Sequence, residues 1–128
     1  MVTRDAARGH GVHRLAYLTS ALVGAALWVG TVRVSGRREA WDAELYWTAA
    51  YPAAIVAAAL LGALVPDRAW RWGLVIMLAQ AVAGAVLARS FGLLPLGMML
   101  FGVLALIPMA AAVGTARLCG RWRGGTGR

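Results

Sequence analysis

The sequence is poor in the groups that usually carry chemistry: it has no lysine, one cysteine, two histidines and five acidic residues in 128. A single cysteine, Cys119, excludes an intramolecular disulfide and reads as a small residue at a helix end. His10 and His13 lie three apart near the amino terminus with no further ligand beside them, so neither zinc nor haem ligation is supported. Their position also leaves no histidine in the apolar body for a Ser-His-acid or Cys-His arrangement. No strand precedes a glycine-rich phosphate loop. No metal, cofactor or catalytic residue is expected.

Acid is missing where it would matter most. No Asp or Glu lies between Glu44 and Asp67, and none follows Asp67. Ionisable groups inside apolar spans are costly and mark proton relays or ion paths. Small multidrug exporters of similar length depend on such a carboxylate, so its absence disfavours proton-coupled antiport.

What the sequence does have is apolar bulk. Hydrophobic residues make up 61% and charged residues 14%, with a mean hydropathy of +0.69. A soluble domain carries about 25% charged residues, and a small one buries only about two-thirds of the surface its unfolded chain exposes. Lipid is the solvent that accommodates the remainder. The net charge of +8 comes from thirteen arginines placed at segment ends and in the tails. That is the pattern of membrane topology rather than the clustered basic face of a nucleic-acid binder, so nucleic acid is not an expected partner.

Four uncharged runs set the expected architecture: an all-α membrane protein with spans at about 15–34, 45–65, 70–88 and 95–118. Residues 14–118 form one membrane domain, 1–13 a short mobile tail, and 119–128 an Arg/Gly-rich tail without order. The first run exceeds the apolar core of a secretory signal, so it reads as a retained span. The connector beginning at Pro66-Asp67 is a tight helical turn, whereas Ser90–Gly97 is apolar and broken by two Gly and one Pro.

Orientation follows from arginine. Arg4, Arg8, Arg14, Arg68, Arg71, Arg117, Arg121, Arg123 and Arg128 fall on one side, against Arg33, Arg37, Arg38 and Arg89 on the other. The positive-inside rule places both termini in the cytoplasm, with the protein multi-pass in a cell membrane, a bacterial cytoplasmic membrane by expectation. Trp41, Tyr46 and Trp47 would then sit at the outer interface and Trp70 and Trp72 at the inner one. The arginines after span four, Arg117, Arg121, Arg123 and Arg128, would attract anionic lipid headgroups.

Several residues invite a functional reading beside a plainer one. Gln80 is the most polar side chain near a span centre, and with Tyr51 and Gly84 it could line a polar site. The plainer reading is an interhelical hydrogen bond, with Gly84 and Ala88 on the same face allowing close approach. Ala50, Ala54, Ala58 and Gly62 repeat every fourth residue, a small-residue seam that lets helix backbones meet. Pro52 and Pro108 each remove a backbone hydrogen bond within a span and permit a kink. Arg37, Arg38, Glu39, Trp41, Asp42 and Glu44 gather opposite charges with an aromatic. They could hold a polar ligand, but read as a solvated loop in which Asp42 caps and Glu44 opens span two.

No motif of the fluoride channels, glutathione-linked membrane enzymes or small multidrug exporters appears. The expected function is non-catalytic, acting through helix packing as a homo-oligomer or as an accessory subunit of a membrane complex. The competing readings are a small channel or uniporter formed by an oligomer, with Gln80 and Tyr51 lining a path, and a membrane enzyme acting on lipid.

Overall fold

A computed structural model describes residues 2–38 and 40–125; Glu39, Arg128 and the side chain of Trp41 lie outside the described part. Among the described residues the chain is entirely helical: α1 (Val2–Ser35), α2 (Tyr51–Leu64), α3 (Trp70–Ala88), α4 (Leu94–Leu104) and α5 (Leu106–Gly125). Three of the apolar helical stretches are long enough to cross a membrane, and a fourth if α4 and α5 count as one bent span.

At 1.5 Å per residue the 34 residues of α1 run about 50 Å, well beyond a ~30 Å hydrocarbon core. The expected mobile tail is therefore a helical extension of the first apolar run. Nucleation is the costly step in helix formation, and the apolar run supplies it; Ala6, Ala7 and Arg8 are good helix formers that propagate it outward. Gly36 ends α1 in the left-handed conformation at φ +68°, its N–H returning to the Val32 carbonyl at 3.0 Å.

Each proline deforms the helix it enters. Pro52 cannot donate to the Thr48 carbonyl, and the turn just before it, Tyr46–Ala50, widens into a π-helix in which the Tyr51 N–H reaches Tyr46 O. Pro108 likewise leaves the Leu104 carbonyl without its helical donor. The helix breaks at Ala105 and bends by 40°, so the fourth apolar run is α4 and α5 rather than one straight helix. The carboxy-terminal segment expected to lack order continues α5 as far as Gly125.

α3 occupies the centre and packs against all four of the others, while α1 pairs mainly with α3 and α2 with α5. Its buried residues, Trp72, Gly73, Ile76, Met77, Gln80 and Ala81, recur every fourth residue in adjoining pairs and make a broad inward stripe. Leu15, Leu18 and Leu22 on α1, Val56, Leu60 and Leu64 on α2, and Leu96, Met99 and Val103 on α4 stand exposed. An outward face this apolar matches a hydrocarbon surrounding rather than water.

The antiparallel packing gives the bundle two ends. One carries the α2–α3 turn and the amino-terminal part of α1, and is called the Asp67 end. The other carries the α1–α2 connector and the α3–α4 turn, and is called the Asp42 end.

Candidate functional site

Polar side chains within the bundle are few, and Gln80, Tyr51 and Thr115 each make a hydrogen bond between helices. Gln80 is fully buried, and its Oε1 accepts a hydrogen bond from the Tyr46 hydroxyl at 2.7 Å. Its Nε2 faces the Met77 sulfur at 3.7 Å. The widened turn aims Tyr46 into the bundle, where its ring meets those of Trp28 edge-on and Tyr51 stacked. Gly84 lies one turn beyond Gln80. A Cβ there would stand 2.8 Å from the Trp28 ring, so the close approach is to an indole, not to another backbone, and Ala88 on the same face is exposed.

Tyr51 does not join Gln80. Its hydroxyl donates to the Leu104 carbonyl at 2.7 Å, the carbonyl freed by Pro108. An unsatisfied carbonyl within an apolar span costs several kcal/mol. A tyrosine on α2 thus closes the gap that a proline opens on α5, and holds the bend. Thr115 makes a second interhelical bond of this type, to Ala59 O at 2.6 Å. Ser20 and Thr31 satisfy their hydroxyls within α1, on Ala16 O and Leu27 O.

Ala50, Ala54, Ala58 and Gly62 are all buried. At Gly62 a Cβ would run into the Ala112 backbone of α5, and at Gly73 it would stand 2.6 Å from Met109 N. The seam therefore faces α5 of the same chain.

The charged loop at the Asp42 end is not drawn together. Arg37, Arg38, Asp42 and Glu44 are all exposed, and no ion pair joins them among the described residues. The expected cap is also not formed: Asp42 ends a short 3-10 turn, Ala40–Asp42, and no side-chain hydrogen bond caps the helix that follows. The reason is geometric. The turn is closed by backbone bonds from Ala43 N to Ala40 O and from Tyr46 N to Ala43 O, which place Asp42 before the helix rather than at its mouth.

Charge converges instead at the Asp67 end. His13 Nε2 lies 3.3 Å and Arg71 Nη2 3.6 Å from the Asp67 carboxylate. Arg71 Nη1 donates to the Tyr17 hydroxyl at 2.9 Å, and its guanidinium lies over the Tyr17 and Trp72 rings. Trp72 is fully buried; its indole N–H donates to Val65 O at 2.8 Å and so satisfies an orphan carbonyl at the end of α2. Trp70 is exposed. The sequence signals for this cluster were faint: the topology puts His13 and Asp67 on one side, but nothing in the spacing aligns α1 with the α2–α3 turn.

Three cavities accompany these features. One of about 590 Å³ at the Asp67 end has His10, His13, Arg14, Asp67, Arg68 and Arg71 in its lining. An apolar one of about 350 Å³ opens at the Asp42 end between Trp28, Gly84, Leu100 and Phe101. A shallow apolar groove of about 550 Å³ runs between α1 and α3 along Ala21, Ala25, Ala79 and Ala83. Gln80 lines none of them. Among the described residues no group of three or more His, Cys, Asp or Glu side chains is placed to hold a metal. Comparison with protein families, curated proteins and solved structures finds no match for the chain.

Proposed function

We propose that the protein is a four-span membrane protein, both termini cytoplasmic, that acts without catalysis through helix packing, as an accessory subunit of a membrane complex or as a homo-oligomer. The observation that carries this reading is that the side chains of Gln80, Tyr51 and Thr115 are each spent on a protein partner. Gln80 is spent on Tyr46, Tyr51 on the Leu104 carbonyl and Thr115 on the Ala59 carbonyl. A conduction path needs polar groups that face water and exchange partners with a passing solute. Here the cavities in the apolar zone are lined by Ala, Gly, Leu, Val and aromatic side chains, with Ser90 at one rim. The orientation rests on the nine-to-four division of arginine.

Because the Ala50–Gly62 seam is occupied by α5, association with another chain uses the outward faces. Purification of the full chain from its native membrane in mild detergent tests the reading: a stoichiometric membrane partner, or a defined multimer, is expected. Solute or ion flux through proteoliposomes of the pure protein would overturn it in favour of a channel or uniporter. Reporter fusions at Gly124 and Gly36 test the orientation, with cytoplasmic and external signals expected respectively; both on one side would sink the four-span arrangement.

A further inference from the structure

We infer that the pocket at the Asp67 end binds a phosphate group. One face of α1, with His10, His13 and Arg14, meets Asp67, Arg68 and Arg71 around a cavity of about 590 Å³. Three guanidinium groups against one carboxylate leave the pocket at +2 with both histidines neutral. Asp67 is already engaged by His13 and Arg71, whereas Arg14 and Arg68 are exposed and make no ion pair among the described residues.

One donor within the cluster is also unspent. Arg71 Nε is buried without a hydrogen-bond partner. Arg68 adds a backbone argument. It sits at φ 48°, a conformation that costs a residue with a Cβ and favours glycine, at the turn that aims its side chain along the pocket. Gly9 on the facing helix keeps the opposite wall low, with no atom near the position of a Cβ.

Planar guanidinium forks suit the paired oxygens of a phosphate. The group can come from an anionic phospholipid or from a soluble phosphate. The pocket runs along α1 from Ala6 to Tyr17, ending at the level where the uncharged part of α1 begins, which is headgroup depth in the proposed orientation. The lipid source rests on that orientation, which the reporter fusions test separately; the phosphate site does not.

The test uses the full chain, delipidated in neutral detergent and titrated with phosphatidylglycerol, oleate or inorganic phosphate. The probe is native mass spectrometry for the lipids and thermal shift for all three. Phosphatidylglycerol should bind saturably, and the double substitution R14Q/R68Q should weaken it by about tenfold or more. Its melting temperature without ligand should stay at the wild-type value, since both side chains are exposed and unpaired. R121Q/R123Q in the tail should change affinity by less than about twofold. Oleate, an anion without phosphate, should bind equally to wild type and R14Q/R68Q. Saturation by phosphatidylglycerol at concentrations where inorganic phosphate does nothing assigns the lipid source, and the reverse assigns a soluble phosphate; either supports the site. Equal phosphatidylglycerol affinity in wild type and R14Q/R68Q overturns it.

Discussion

At the Asp42 end of the bundle Arg37, Arg38, Asp42 and Glu44 are exposed without an ion pair among the described residues, and an apolar cavity opens beside Trp28 and Gly84. At the Asp67 end His13 and Arg71 close on one carboxylate, and the helices meet backbone to backbone at Gly62 and Ala112 and at Gly73 and Met109. The difference comes from the connectors. The α2–α3 turn is a few residues long and presses its charges against α1, whereas the α1–α2 connector is long enough to carry its charges away from the bundle. Equal richness in charged residues therefore says little about where a site forms; the length of the turn that carries them decides.

The strongest way to break this contrast is to add bulk where the helices touch. Gly62→Leu or Ala58→Leu should destabilise the bundle severely, by about 3 kcal/mol or more at Gly62, because overpacking against a backbone cannot be relieved by a rotamer change. Gly30→Leu and Ala53→Leu, on exposed faces, should cost well under 1 kcal/mol by the usual range for surface changes. Thermal unfolding in detergent measures both. Comparable losses at Gly62 and Gly30 would mean that the tight half is not tight.

That contrast was only partly legible in the sequence. The uncharged runs gave the helices, and the repeat Ala50, Ala54, Ala58, Gly62 marked a contact face, since composition and periodicity are local properties. The partner of that face, α5, is a matter of tertiary packing that no local pattern encodes. Gln80 was visible as a polar residue among apolar ones, but nothing in the sequence marked Tyr46 as its partner. The widened turn ahead of Pro52 that turns Tyr46 inward depends on how one missing N–H is absorbed, and a proline in a sequence permits a kink, a π-turn or neither. The cluster at Asp67 was hidden for the same reason as the seam's partner: it joins residues 54 positions apart, as between Tyr17 and Arg71.

A medium effect is expected from the hydrogen bond that holds the bend of α4 and α5. Tyr51→Phe removes the donor to Leu104 O and should cost about 0.6–2 kcal/mol, the range for interhelical bonds in membranes. Pro108→Ala restores a backbone N–H to that carbonyl, so adding it to Tyr51→Phe should recover most of the loss. A double-mutant cycle in unfolding free energy reads the coupling directly. Purely additive effects would show that Tyr51 and Pro108 act independently, and that the looser half of the bundle is held by packing alone.

The smallest effect is expected at Asp42, and it bears on whether the Asp42 end is as loosely organised as it looks. Its carboxylate is exposed, makes no cap bond, and precedes a helix whose opening turn is closed by backbone groups. Asp42→Asn should therefore change stability by less than about 0.5 kcal/mol, the range for surface sites without special contacts. Asp67→Asn is the matched change at the other end. It leaves Arg71 and His13 without their carboxylate and should cost more, about 1 kcal/mol at low ionic strength and less as salt screens the exposed pair. Both are read from melting curves at two salt concentrations. A salt-independent loss of about 1 kcal/mol at Asp42 would point to a formed helix cap, and would place at the α1–α2 connector the organisation now assigned to the α2–α3 turn.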